Sequence, residues 1–142
     1  MSVPSGVIEH MFDKVVSTVK PREVIDDLRA AAREENRAAA RRAGVAAELF
    51  EMRRAERGEA EDWAVDAWAA AGAEIAAAAR ISLGRAGSWM NLGLALRRLP
   101  ASAAVFAAGD SDAQTFGVIA ARTELVTDTA AVAEIDQRIA VW

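Results

Sequence analysis

Residues 21–57 read PREVIDDLRAAAREENRAAARRAGVAAELFEMRRAER. Proline is tolerated in the first turn of a helix, where its missing N–H has no intrahelical partner. After Pro21 the stretch is dominated by Ala, Arg, Glu and Leu, which have the highest intrinsic helix propensities, and its one weak point is Gly44. One long helix is predicted from Pro21 to about Arg57. Along it, Val24, Leu28, Ala31, Ala38, Val45, Leu49 and Met52 recur in alternating steps of four and three, with Glu35 and Arg42 filling the seam positions between them. Two arrangements satisfy this pattern. Either the helix packs on its own domain at both ends, or it forms an antiparallel coiled-coil arm with a second chain. At 1.5 Å per residue the helix would extend roughly 55 Å, well beyond the ~30 Å of a compact domain this small. It must therefore project, bend at Gly44 or meet another chain. We expect a homodimer with Leu28, Ala31, Val45, Leu49 and Met52 as candidate interface residues.

Working outward, Gly58 suits the end of that helix and Glu59–Asp62 the acidic start of the next. In Trp63–Arg80, the residues Trp63, Ala67, Ala70, Ala71, Ile75 and Ala78 share one helical face, and Trp68 lies off it, placed to plug a neighbouring helix. Ser82 is an N-cap for a helix to about Leu99. Pro100 opens a short helix that stops at Gly109. Asp110, Ser111 and Asp112 cap a helix over 113–125, and Thr127, Asp128 and Thr129 cap a last one running to Trp142. Trp68 and Leu96 are expected in the core. Toward the N-terminus, residues 1–7 read as a flexible arm and 8–19 as a short amphipathic segment. The fold class expected is all-α. It has six to seven helices in one domain over 8–142, with the long helix packed on or projecting from a bundle over 62–142.

Composition narrows the function. The chain has 142 residues and a hydrophobic fraction of 53%, enough for a real core. It has no cysteine and one histidine, His10, which excludes thiolate chemistry, Cys zinc sites and clusters of His ligands. The formal net charge of −4 gives no global basic field for nucleic acid. No apolar run approaches the ~18 residues of a membrane span, and the first residues lack the basic and apolar regions of a signal peptide. The expectation is a cytoplasmic protein with no membrane partner, no cofactor and no metal.

One local pattern points toward DNA. Residues 74–98 carry Arg80, Arg85, Arg97 and Arg98 against Glu74 alone. A helix ending near Arg80, a turn over 81–84 and a second helix with Arg85, Ser88 and Asn91 at steps of three outline a helix-turn-helix. Arg85 would reach guanine, Asn91 adenine or a phosphate, and Arg97 and Arg98 the backbone. Candidate DNA-binding residues are therefore Arg80, Arg85, Ser88, Asn91, Arg97 and Arg98. Plain packing of two Ser-capped helices explains the same pattern, and Trp89 and Met90 are odd on a base-reading face.

Catalysis finds no constellation. Asp26/Asp27 and Glu34/Glu35 lie on a long helix, with Arg29, Arg33 and Arg37 placed for ordinary ion pairs. Asp110/Asp112 read as a helix cap. Acid–base work needs carboxyl groups converging in a desolvated pocket, not neighbours in sequence. Trp63, Trp68, Trp89 and Trp142 read as core anchors. A small-molecule site lined by Trp and Met has no polar constellation to support it.

The ordered set Ala95-Leu-Arg97-Arg98-Leu-Pro100, Phe106-Ala-Ala-Gly109 and Val118-Ile-Ala-Ala-Arg122-Thr123 resembles the actinobacterial 13E12-repeat family, whose shared region is domain of unknown function 222. Arg41–Glu51, Trp68-Ala-Ala and Arg80–Gly87 belong to the same resemblance, which runs in order from about residue 23 to 142. It implies a helical region that usually precedes an HNH nuclease. This sequence has no His-Asn-His set, so no catalytic residue is carried over. The resulting expectation is a non-catalytic accessory module that assists DNA binding or dimerisation of a DNA-acting enzyme, with double-stranded DNA and a second copy as partners. The alternative is a purely structural oligomerisation or protein-interaction domain without nucleic-acid contact.

Overall fold

A computed structural model of the chain describes residues 20–57 and 61–141. The expectations placed on residues 1–19, Gly58, Glu59, the side chain of Trp63 and Trp142 lie outside the described residues. Those residues form six α-helices: α1 (Pro21–Arg57), α2 (Glu61–Ala79), α3 (Leu83–Arg98), α4 (Pro100–Ala108), α5 (Ala113–Thr123) and α6 (Thr129–Ile139). The fold is all-α, and no strand occurs among the described residues.

The boundaries follow from local chemistry. Ser82 accepts a hydrogen bond from the Arg85 N–H, Asp112 from the Thr115 N–H and Asp128 from the Ala130 N–H, so each side chain satisfies a donor that the first turn leaves open. Helix α2 ends in a left-handed turn at Arg80 (φ 54°), where the Ile81 N–H reaches back to the Ala76 carbonyl. Gly109 (φ 88°) ends α4 in the same way, with the Asp110 N–H bonded to the Val105 carbonyl. The last helix stops at Ile139, short of the expected Trp142.

The chain divides into two compact units, residues 1–32 and 33–142. In the first, the described residues 20–32 are helical from Pro21 and exposed throughout. Val24, Ile25 and Leu28 are its large apolar residues in water, and Arg29 pairs with Asp26 at 3.1 Å.

The second unit holds two clusters of buried residues. One joins Ala39, Ala40, Ala95, Leu99, Phe106, Phe116, Ala120 and Val132, with the Phe106 and Phe116 rings stacked at 5.2 Å. The other joins Ala46, Phe50, Ala67, Ala71, Ile75, Ala86 and Met90. Helices α1 and α3 run through both. They cross at Gly93, where a Cβ would stand 2.0 Å from the Ala43 carbonyl oxygen and 2.6 Å from the Ala47 Cβ. Only glycine against alanine permits that approach, since side-chain size sets the distance between packed helices.

This crossing sets which face of α1 is buried within the chain. Its buried face is Ala39, Ala40, Ala43, Ala46, Ala47 and Phe50. The stripe through Ala38, Val45, Leu49 and Met52 lies beside it, with Val45 and Met52 exposed and Leu49 half-buried. Because α3 comes so close, small residues take the centre of the contact and the larger apolar ones are displaced to its flank. Helix α1 is unbroken at Gly44, which is half-buried and faces Leu96. Trp68 and Leu96 are half-buried rather than deep in the core. Trp68 does plug its neighbours: its ring meets Phe50 edge-on at 5.0 Å and lies against Gly87.

The C-terminus of α4 is tied to α1. Asn36 Nδ2 donates to the Gly109 carbonyl at 3.1 Å, Arg37 Nε to the Ala108 carbonyl at 2.9 Å, and Arg33 pairs with Asp110. Asn36 and Arg37 thereby supply donors where the end of a helix leaves its carbonyls open.

Candidate interaction groove

Ala46 and Phe50 of α1 pack against Ala67, Ala71 and Ile75 of α2 and Ala86 and Met90 of α3. The residues flanking this contact do not close over it. They leave a groove of about 680 Å³ whose walls are Ala38, Val45 and Leu49 on α1 and Ile75, Ala78 and Ala79 on α2, with Trp89 of α3. The lining is dominated by apolar carbon.

Charge is distributed unevenly around it. Arg41 and Arg42, both exposed, place two guanidinium groups at the groove. The Arg42 guanidinium carbon lies 4.3 Å from the centroid of the Trp89 ring, a cation–π contact that orients it. On the α2 side Glu74 is gripped at two points by Arg53, Nε to Oε1 at 2.7 Å and Nη2 to Oε2 at 2.8 Å. Arg53 also donates to Glu56 at 2.7 Å. Hydrogen bonds to the two carboxylates, Glu74 first, raise the Arg53 pKa further above its ordinary value.

The candidate DNA residues differ in what they touch. Arg80 is exposed and forms the left-handed turn. Arg85 is exposed at the start of α3. The Ser88 hydroxyl donates to the Gly84 carbonyl of its own helix at 3.0 Å. Arg97 lies 3.8 Å from Glu51. Arg98 turns onto the end of α5: Nη1 donates to the Thr123 carbonyl and hydroxyl at 2.9 and 3.0 Å, and Nη2 to the Ala120 carbonyl at 2.7 Å. Ser88, Asn91 and Arg98 do share one cleft, which Glu124 also lines. In the turn between α2 and α3 the helix-turn-helix outline is present, with Met90 fully buried and Trp89 half-buried.

The candidate dimer residues divide between the units. Leu28 and Ala31 are exposed in the first; Val45 and Leu49 line the groove in the second, with Met52 exposed beyond them. Sequence reasoning did not find the groove, because its walls meet only through the α1–α2–α3 packing. The Arg42–Trp89 contact spans 47 positions and leaves no local signal.

Among the described residues no group of three or more His, Cys, Asp or Glu is placed to hold a metal ion. No described helix is long and apolar enough to cross a membrane.

Comparison with known proteins gives a family but no activity. The family described as "Domain of unknown function (DUF222)" matches residues 30–141. The chain is 43% identical over 148 residues to the uncharacterized proteins MT2160 and Rv2100 of Mycobacterium tuberculosis, an overlap that takes in 99% of this chain and 26% of theirs. It is 44% identical over 109 residues to the uncharacterized protein Rv3776 of the same organism, covering 77% of this chain and 21% of that one. The chain thus spans about a quarter of the length of the first two relatives. No solved structure matches it.

Proposed function

The chain belongs to the DUF222 family, and from that premise we propose that it is a non-catalytic helical interaction module, which brings protein segments together for a DNA-acting enzyme. The observation that carries this reading is the open apolar groove between α1 and α2, flanked by Arg41 and Arg42. Concave apolar surface left in water marks an interaction site, since soluble proteins rarely leave such patches open. The 13E12-repeat resemblance supplies the context, an HNH nuclease in the same longer protein. In that setting the nuclease does the chemistry and this region governs assembly.

A dye that fluoresces on apolar surface tests the groove. Anilinonaphthalene sulfonate, an anionic probe, should bind the chain at about 1 µM protein, and Val45→Glu should remove most of the signal. Fluorescence unchanged in Val45→Glu overturns the reading.

Contact with DNA through the α2–α3 element is a second reading, favoured by the exposure of Arg80 and Arg85 on either side of the turn. Binding that weakens in Arg85→Ala and loses about one unit of salt slope would support it. No shift in a gel at ~50 mM salt and micromolar protein would remove it.

A further inference from the structure

Resting on the interaction-module reading, we infer that the groove between α1 and α2 takes an acidic amphipathic helix from a partner protein. Its apolar ridge lies in the groove, and carboxylates beside the ridge meet Arg41 and Arg42. Every lining residue belongs to the unit 33–142. On α1 the lining runs from Ala38 to Leu49, about 16 Å at 1.5 Å per residue, or roughly three helical turns. The main walls are two helices, and a third helix seats between them by the ridge-into-groove packing that joins α1 to α3. Ala38, Ala78 and Ala79 keep part of the walls low, so an incoming backbone can approach closely. Val45, 58% exposed, offers apolar surface that such a ridge would cover.

The charges at the groove select the sign of the partner. Three charged residues line it: Arg41, Arg42 and Glu74. Glu74 already has both oxygens gripped by Arg53. Neither Arg41 nor Arg42 is in an ion pair among the described residues. The sequence explains why. Ion pairs along a helix join residues three or four apart, and around Arg41 and Arg42 those positions hold Arg37, Ala38, Ala39, Gly44, Val45 and Ala46. Arg29, Arg53 and Arg138, by contrast, each have a carboxylate at that spacing. Two cations without a counter-charge therefore stand at an apolar groove. A wholly apolar helix would cover them at a desolvation cost, and a basic one would be repelled. Trp89 already holds the Arg42 guanidinium in place, so less side-chain freedom is lost when a carboxylate meets it.

Two synthetic helical peptides of about four turns test the inference. Both carry Leu at steps of three and four; one has Glu on either side of the Leu ridge and the other has Lys there. Each is labelled with fluorescein and titrated with the 142-residue chain at ~50 mM salt, reading anisotropy. The Glu peptide should bind with a Kd on the order of 10 µM, at least about tenfold tighter than the Lys peptide. The chain's net charge of −4 would by itself favour the Lys peptide, so this order reports the local pair of arginines. A Glu peptide with Ser in place of Leu should not bind. Arg41→Glu with Arg42→Glu should reverse the preference, a gain of Lys-peptide binding that an unfolded variant cannot give. Arg54→Glu, on exposed surface of α1 outside the groove lining, should leave the preference as it is.

A wild-type chain that binds the Lys peptide as well as the Glu peptide overturns the inference. So does a preference that survives the double charge reversal, or one that Arg54→Glu reverses equally. A wild-type dimer in sedimentation that Val45→Glu converts to monomer would put a second copy in the groove and likewise overturn it. If the dye reports the groove while neither peptide binds, the acidic helix is excluded and the interaction-module reading stands. Dye fluorescence unchanged in Val45→Glu would remove that reading independently.

Discussion

Asp136, on α6, accepts the backbone N–H of Ser102 at 2.8 Å on one carboxylate oxygen and that of Ala101 at 2.7 Å on the other. It is 1% exposed. Helix α4 begins at Pro100 and receives no cap from the side chain of Leu99 before it. Its first donors are therefore satisfied from another helix, by the two oxygens of one aspartate side chain. Asp136→Asn keeps the shape but replaces one acceptor with a donor facing an N–H. It should cost about 2–3 kcal/mol, read as a lower urea midpoint with an unchanged slope. A midpoint equal to that of the wild type would refute this role.

The crossing of α1 and α3 gives a contrast between two glycines. Gly93→Ala gains helix propensity of about 1 kcal/mol but drives a Cβ into the Ala43 carbonyl. The helices must separate, and the net effect should be a loss of about 2 kcal/mol or more. Gly84→Ala meets nothing within 4 Å and should stabilise by about 0.5 kcal/mol. Equal effects at the two positions in thermal melts would contradict the close crossing.

Much of the helical order was legible in the sequence because its signals are local. Pro21, Ser82, Pro100, Gly109, Asp112 and Asp128 each act within four residues, and each helix start or stop they marked is found there. The buried face of α1 was not legible for a non-local reason: apolar period identifies a ridge, but the nearest approach of α3 is set by Gly93, which presents no side chain to a pattern search. Asp136 was invisible for the same kind of reason, its partners lying 34 and 35 positions away. Of the candidate site, Val45, Leu49 and Arg42 were noted on the seam, whereas the opposing wall of Ile75, Ala78 and Ala79 arises only from packing. Several residues that carry the family resemblance have structural tasks: Arg98 binds the end of α5 at Thr123, and Gly109 turns the chain. The resemblance thus reports the fold more directly than a site.

Arg85 and Arg98 should separate cleanly. Arg98→Ala leaves the Thr123 and Ala120 carbonyls without the guanidinium that now bonds them. It should cost about 1.5–3 kcal/mol, the usual range for a hydrogen bond to a charged group. Arg85→Ala touches only exposed surface and should stay within about 0.5 kcal/mol of the wild type. Urea titrations of the two variants decide this; an Arg98→Ala protein as stable as Arg85→Ala would mean the guanidinium is held only weakly.

Two left-handed positions should respond in opposite directions. Arg80 bears the steric cost of a positive φ in a non-glycine residue, so Arg80→Gly should stabilise by about 1 kcal/mol. Gly109→Ala should destabilise by more than that, because its Cβ would also stand 2.6 Å from the Arg33 carbonyl oxygen. A gel shift with the Arg80→Gly protein separates the two uses of this residue. DNA binding lost from a more stable protein would show that the strained arginine serves nucleic acid rather than the turn.

The last prediction concerns acid. Asp112 caps α5, accepting the Thr115 N–H at 2.6 Å, and that backbone hydrogen bond is the main cause that lowers its pKa below the ordinary aspartate value. A carboxyl depressed in the folded state and normal in the unfolded one binds its proton more readily after unfolding. Its contribution to stability is therefore fully present above the unfolded value, near pH 4, and is lost as pH falls through the folded value. Asn caps helices about as well as Asp but does not titrate and carries no charge to meet the helix dipole. Asp112→Asn should thus be less stable than the wild type at pH 7, and the difference should shrink steadily below about pH 4. Paired thermal melts at neutral and acid pH read this directly. A gap between the two proteins that stays constant across that range would show that the Asp112 charge has no part in holding the start of α5.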